Sequence, residues 1–258
     1  MNSKKHPKIQ TDSGLIKKEH LSNYTFARVN LPKSGFAINM SEVLAFRADH
    51  ASARDAIFTA FDIEKIKGEL SPLTLDFIEV SSQAEDKAAY LKRPDLGRML
   101  NEKSNELLEE SVNSKEKDIV IVISNGLSAT AVNENTASVL NHLIPKIKES
   151  NLTLAPIIFA TNGRVALADE IGEKLNAKLS IILVGERPGL SSPNSMSIYF
   201  TYAPEKGLTD ESRNCISNIR DKGLPPISAA EKLFYLVNTA LTKRISGIHL
   251  KDDMGLTE

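Results

Sequence analysis

The sequence predicts an α/β fold, a Rossmann-like (flavodoxin-like) parallel sheet flanked by helices with an N-terminal helical extension. Three observations carry that expectation. Between Asp118 and Val184, apolar strand-like runs alternate with helical patterns as strand, helix, strand, helix, strand, the order that gives parallel strands joined by right-handed crossovers. The first run, Asp118-Ile119-Val120-Ile121-Val122-Ile123, is continuously apolar, as a central strand buried on both faces should be. The third, Ile181-Ile182-Leu183-Val184, breaks at Gly185 into Glu186-Arg187-Pro188-Gly189, a strand exit of the kind beside which α/β proteins bind ligands.

Composition bounds the function. With 258 residues, 41% of them apolar, the chain can bury a large core. A net charge of -1 steers it toward neither nucleic acid nor an anionic membrane. Aromatics are 5% with no Trp, which disfavours a stacking platform for single strands. One cysteine excludes an internal disulfide and suits a reducing compartment. No apolar run approaches the ~20 residues of a membrane span and the N-terminus lacks a signal core, so a cytoplasmic location is expected.

Taken in order, residues 1–30 read as a polar, lysine-rich tail, mobile or a short docking peptide. Residues 31–116 read as a mainly helical region and 117–258 as the α/β domain, with Lys115-Glu116-Lys117 as the linker. Val43, Leu44, Phe46, Ile57, Phe58 and Phe61 recur at helical spacing, predicting a helix from Ser41, its N-cap, to about Ile66. Arg47 and Arg54 lie on a charged face of it among small residues. Phe77-Ile78-Glu79-Val80 reads as a short strand, and Asp95 after Arg93-Pro94 as the cap of a helix to about Ser111. After the 118–123 strand, Ser124-Asn125-Gly126-Leu127-Ser128 turns into a long helix, Ala129 to about Glu149. Leu154 to Ala160 is the next strand, and Asn162-Gly163-Arg164-Val165 opens a second helix. Beyond the third strand come a strand-like run, Ile198 to Tyr202, and a segment, Arg213 to Arg220, that sets Cys215 among asparagines and arginines. A helix from Ser228 to about Arg244 closes the chain.

Familiar catalytic patterns are missing. Asn125-Gly126 stands alone where a dinucleotide fingerprint needs three spaced glycines, and no Gly-rich loop ends in Gly-Lys-Ser/Thr. The five histidines are scattered without metal-ligand spacing. Cys215 has no histidine near it in sequence, so a buried or ligand-touching thiol is favoured over a reactive one. The chain reads as a binding half, with no catalytic residues and no metal ligands of its own.

Several stretches together, SARDAIFTAFD (52–62), RPDLGRML (93–100), DIVIVISNGLSATAV (118–132), NGRVALADEIGE (162–173), GERPGLSSPNS (185–195) and RNCISNI (213–219), resemble the small (light, or β) subunit of ethanolamine ammonia-lyase. The resemblance runs from about residue 30 to the end. It implies an adenosylcobalamin-dependent radical elimination that converts ethanolamine to acetaldehyde and ammonia. It further implies a TIM-barrel large subunit that holds substrate, an arrangement of six heterodimers, and association with a bacterial microcompartment, its shell or its cargo. The small subunit would cover the lower face and nucleotide loop of the cofactor through Val165, Glu186 and Cys215, the positions matching that family's cobalamin contacts. By chemistry alone these residues read rather as a core valine, a surface charge and a buried thiol, and it is the motif match that favours the contact reading. No Asp-x-His-x-x-Gly motif is present, which agrees with a cofactor bound base-on, as the resemblance also implies. The face of Arg47 and Arg54 and the segment Arg93-Pro94-Asp95 are expected to meet the large subunit. A stand-alone flavodoxin-like binder of a nucleotide or cofactor, or a scaffold subunit without ligand contact, are the alternatives.

Overall fold

In the computed structural model, residues 33–34, 36–111 and 115–254 are described. The chain forms two compact units, 1–51 and 52–258. The tail expected at 1–30 lies outside the described residues. Strands β1 (Lys33–Ser34) and β2 (Ala37–Ile38) pair antiparallel, and helix α1 runs Met40–Phe58. The single helix expected to about Ile66 is two helices. Asp62 starts α2 (Ile63–Leu70) by accepting from the Lys65 N–H at 3.0 Å, and an aspartate that can bond the backbone ahead of it favours such a cap over a helix interior. Ser41 is likewise inside α1 and not its cap.

β3 (Phe77–Ser81), α3 (Lys87–Lys92) and α4 (Glu102–Ser111) follow. Asp95 does not cap α4. It is engaged by Arg93 at 3.0 and 2.6 Å, and Asn101 takes the cap by accepting from the Ser104 N–H at 2.8 Å. Then come β4 (Lys117–Ser124), α5 (Ala129–Glu149), β5 (Ile157–Thr161), α6 (Leu167–Lys174), β6 (Ala177–Gly185), β7 (Met196–Tyr202), β8 (Asn214–Ile219) and α7 (Pro226–Lys243).

The six strands β3 to β8 form one sheet in the order β3-β5-β4-β6-β7-β8. The first four in that order are parallel, as the alternating pattern predicts. The last two turn the sheet antiparallel. No helix lies between Gly185 and Met196, and without a crossover β7 can only return alongside β6. β3 pairs with β5 in register Phe77↔Ile157, so the sheet draws a strand from either side of residue 116.

Ile119 through Ile123 of β4 are fully buried, each isoleucine or valine stabilising the fold by about 1.5–3 kcal/mol. Ile119, Ile121 and Ile123 share a core with α2, α5 and α7. Val120 and Val122 share one with α4 and α6 on the other face. Adjacent strands β4 and β5 therefore send their following helices to opposite faces, which opens a crevice at their carboxyl ends. No helix among the described residues is long and apolar enough to cross a membrane.

Candidate functional site

A polar network joins the carboxyl ends of β4 and β5 to the end of β3. Ser124 Oγ donates to Gly163 O at 2.9 Å and accepts from the Gly163 N–H at 3.0 Å. Asn125 accepts from the Asn162 N–H at 2.8 Å and donates to Asn162 Oδ1 at 3.2 Å. Ser82 Oγ donates to Asn162 O at 2.7 Å. These bonds fix the β5–α6 turn that carries Arg164 and Val165. The exits of β4 and β6 are locked together as well. Gly126 is left-handed, with φ 54°, and a Cβ on Gly185 would stand 2.0 Å from Ser128 O, so neither backbone admits a side chain there.

An open cleft of about 460 Å³ is bordered by Tyr90, Leu127, Arg164, Val165, Glu186, Arg187, Tyr199 and Cys215. The structure thus brings the three predicted residues, Val165, Glu186 and Cys215, to one place. They come from three elements: the β5–α6 turn, the exit of β6, and β8.

Glu186 is half-buried. Burial pushes its carboxyl up, but the Ser195 and Ser197 hydroxyls, the Asn218 N–H and the charge of Arg220 outweigh that and hold it below the ordinary glutamate range. Ser197 Oγ and the Asn218 N–H, the latter at 3.0 Å, both donate to Oε1. Oε2 therefore keeps acceptor capacity for a ligand N–H. Cys215 is exposed, which corrects the buried alternative. The cleft walls still desolvate its sulfur and raise its pKa, against the pull of Tyr199 and Ser197. It is a neutral thiol at pH 7 and not an activated nucleophile. Tyr199, its partner across β7 and β8, is pushed up by burial and by Cys215 beside it.

Sequence reasoning missed Tyr90, Leu127, Ser197 and Tyr199. A signal existed for two of them: Ser197 and Tyr199 alternate along β7 as Cys215 and Ser217 do along β8, and alternate residues of a strand share a face. No cluster of metal-capable residues occurs among the described residues. Of the expected partner-facing groups, Arg47, Arg54, Arg93 and Asp95 are all exposed.

A family model described as "Ethanolamine ammonia-lyase light chain (EutC)" matches residues 17–251. The chain belongs to that family. Among its relatives, the ethanolamine ammonia-lyase small subunit of Pseudomonas putida (strain GB-1) is 45% identical over 235 residues, covering 90% of this chain and 86% of the relative. The small subunit of Rhodopseudomonas palustris (strain BisA53) is 45% identical over 233 residues, covering 90% and 89%. That of Pseudomonas fluorescens (strain SBW25) is 42% identical over 251 residues, covering 96% and 91%. Family membership makes the chain a subunit of an ammonia-lyase, and the match extends farther toward the N-terminus than the motifs alone suggest.

Proposed function

We propose that this chain combines with a large subunit to form ethanolamine ammonia-lyase, and that its cleft holds the lower half of adenosylcobalamin. The observation that carries the reading is the meeting of Val165, Glu186 and Cys215 in one open cleft at the carboxyl edge of the sheet. A corrinoid fits the residues present. Its ring needs an apolar rest, which Val165, Leu127 and Val184 offer. Its peripheral carboxamides need acceptors, which the ionised Glu186 supplies. The cleft is of a size that encloses a drug-sized molecule, far less than a whole corrinoid, so a second wall from a partner is required.

When bound, the cofactor supplies the radical chemistry that eliminates ammonia from ethanolamine. This chain binds and orients it from below and keeps water from that side. None of the residues bordering the cleft is a histidine among those described, in keeping with base-on binding. The large subunit, as a TIM barrel, would hold substrate. Phe36, Met40, Leu44 and Phe46 are exposed apolar side chains on or beside the part of the helix that carries Arg47, and such a surface suits burial against that subunit. The arrangement of six heterodimers and any microcompartment association belong to the same proposal.

Ammonia release from ethanolamine tests it. This chain, the cognate large subunit and their mixture are compared with and without adenosylcobalamin. Activity confined to the complete mixture supports the reading. A soluble complex that stays inactive with the cofactor contradicts it.

A further inference from the structure

Several cations of this molecule are matched to carboxylates. Arg213 meets Asp169 and Asp210, Lys206 meets Glu170, and Lys67 meets Glu64 and Glu79. Two neighbouring cations, Arg164 on the border of the cleft and Lys87 against the same Tyr90 ring, are not. Among the described residues, neither Arg164 nor Lys87 has a carboxylate within ion-pair distance. Arg164 Nη2 donates to the Tyr90 carbonyl at 2.9 Å, its guanidinium carbon lies 4.5 Å from the Tyr90 ring centre, and its Nε is buried with no hydrogen-bond partner. Lys87 Nζ lies 5.1 Å from the same ring and donates to Gly126 O at 2.8 Å and Leu127 O at 3.4 Å. Burial and the Arg164 charge lower the Lys87 pKa to about 8.

Two like charges kept together, partly desolvated, with carboxylates available elsewhere on a chain of net charge -1, are unfavourable until an anion joins them. The seat is also built. The Arg164 N–H donates to Gly97 O at 2.7 Å, and a Cβ on Gly97 would stand 3.0 Å from Arg164 Cγ. Gly97 is therefore what lets the arginine lie against the Leu96–Arg98 turn.

We propose that Arg164, backed by Lys87 beside the Tyr90 ring, is an anion subsite of the cleft that takes a phosphodiester. An arginine fork with free N–H groups matches phosphate oxygens. The inference rests on the cobalamin reading for its source: the nucleotide loop contributes a single phosphodiester, which would sit at the Arg164 end while the corrin edge meets Glu186.

The test measures equilibrium binding of adenosylcobalamin and of adenosylcobinamide, which lacks the nucleotide loop, to the complex with the large subunit. Arg164→Gln should weaken adenosylcobalamin by about tenfold, or ~1.4 kcal/mol, and leave adenosylcobinamide unchanged. Lys87→Met should do the same to a smaller degree, which guards against a folding defect in the first variant. Equal loss of both corrinoids, or loss of neither, overturns the subsite and leaves the cobalamin reading standing. A wild-type complex that binds neither corrinoid overturns that reading. Stabilisation of this chain by inorganic phosphate, lost in Arg164→Gln, would then retain the anion subsite with free phosphate as its source, and no such stabilisation would overturn it too.

Discussion

Arg213 is bonded to Asp169 of helix α6 and Arg164 stands in the turn that leads into that helix, and the two are treated in opposite ways. Arg213 is 9% exposed and saturated: its guanidinium reaches Asp169, Asp210 at 2.8 Å and Leu208 O at 2.8 Å. It ties the residues just ahead of β8, and so Cys215, to α6. Arg164 meets one carbonyl and one ring face, and its Nε is left over. A charge that is fully met holds structure. One left half-met at a cleft is held in reserve for a ligand. The difference separates the part of the site that is preformed from the part that awaits a partner.

The comparison breaks most visibly at Arg213. Arg213→Met strands Asp169, which is 1% exposed, as a buried charge, and chemical denaturation should show a loss of about 3–5 kcal/mol. Replacing both partners, Asp169→Leu with Arg213→Met, should recover most of it. A single variant that loses under 1 kcal/mol or so would show that the pair does not clamp the site. Gly97→Ala should cost less, about 1–3 kcal/mol of overpacking, since the new methyl meets Asn162 O at 3.2 Å as well as Arg164. Its cobalamin affinity should fall further than its stability explains.

Two pH effects sharpen the contrast. Glu186 has a folded pKa below the ordinary 4.5. The unfolded chain therefore takes up the proton first, and the stability Glu186 contributes is complete above pH 4.5 and drains away as pH falls through the folded value. Glu186→Gln should flatten that part of an acid-denaturation profile. Lys87 acts the other way. Its folded pKa is about 8 against 10.5 unfolded, so the free chain should gain stability as pH rises from 8 toward 10.5. Over the same rise Lys87 loses its charge and cobalamin retention by the complex should weaken. The Tyr90 hydroxyl titrates above its usual 10, so Lys87→Met should erase both trends.

Much of this was legible in the sequence because it is local. The continuous apolar run of β4 announced a buried strand, and the alternation around it announced the parallel part of the sheet. The GERPGL exit put Glu186 at a strand end. What was illegible depends on what lies opposite. β7 reads as a strand, but its antiparallel sense follows from a connection too irregular to hold a helix. Asp95 looked like a cap until Arg93, two residues away, claimed it. Tyr90 enters the cleft through α3, far from every site motif, and no spacing links it to Val165 or Cys215. Val165, Glu186 and Cys215 themselves were ordinary residues by chemistry, singled out by the family resemblance and brought together by the fold.

The most direct test of the central claim, that this chain forms one wall of a cobalamin site, is retention of adenosylcobalamin by the assembled complex after gel filtration. The account predicts that the wild-type complex keeps the cofactor, while Val165→Trp, which fills the cleft, and Glu186→Ala release it without dissociating the subunits. Full retention by both variants in an intact complex would contradict it, and would leave this chain as a scaffold that never touches the cofactor.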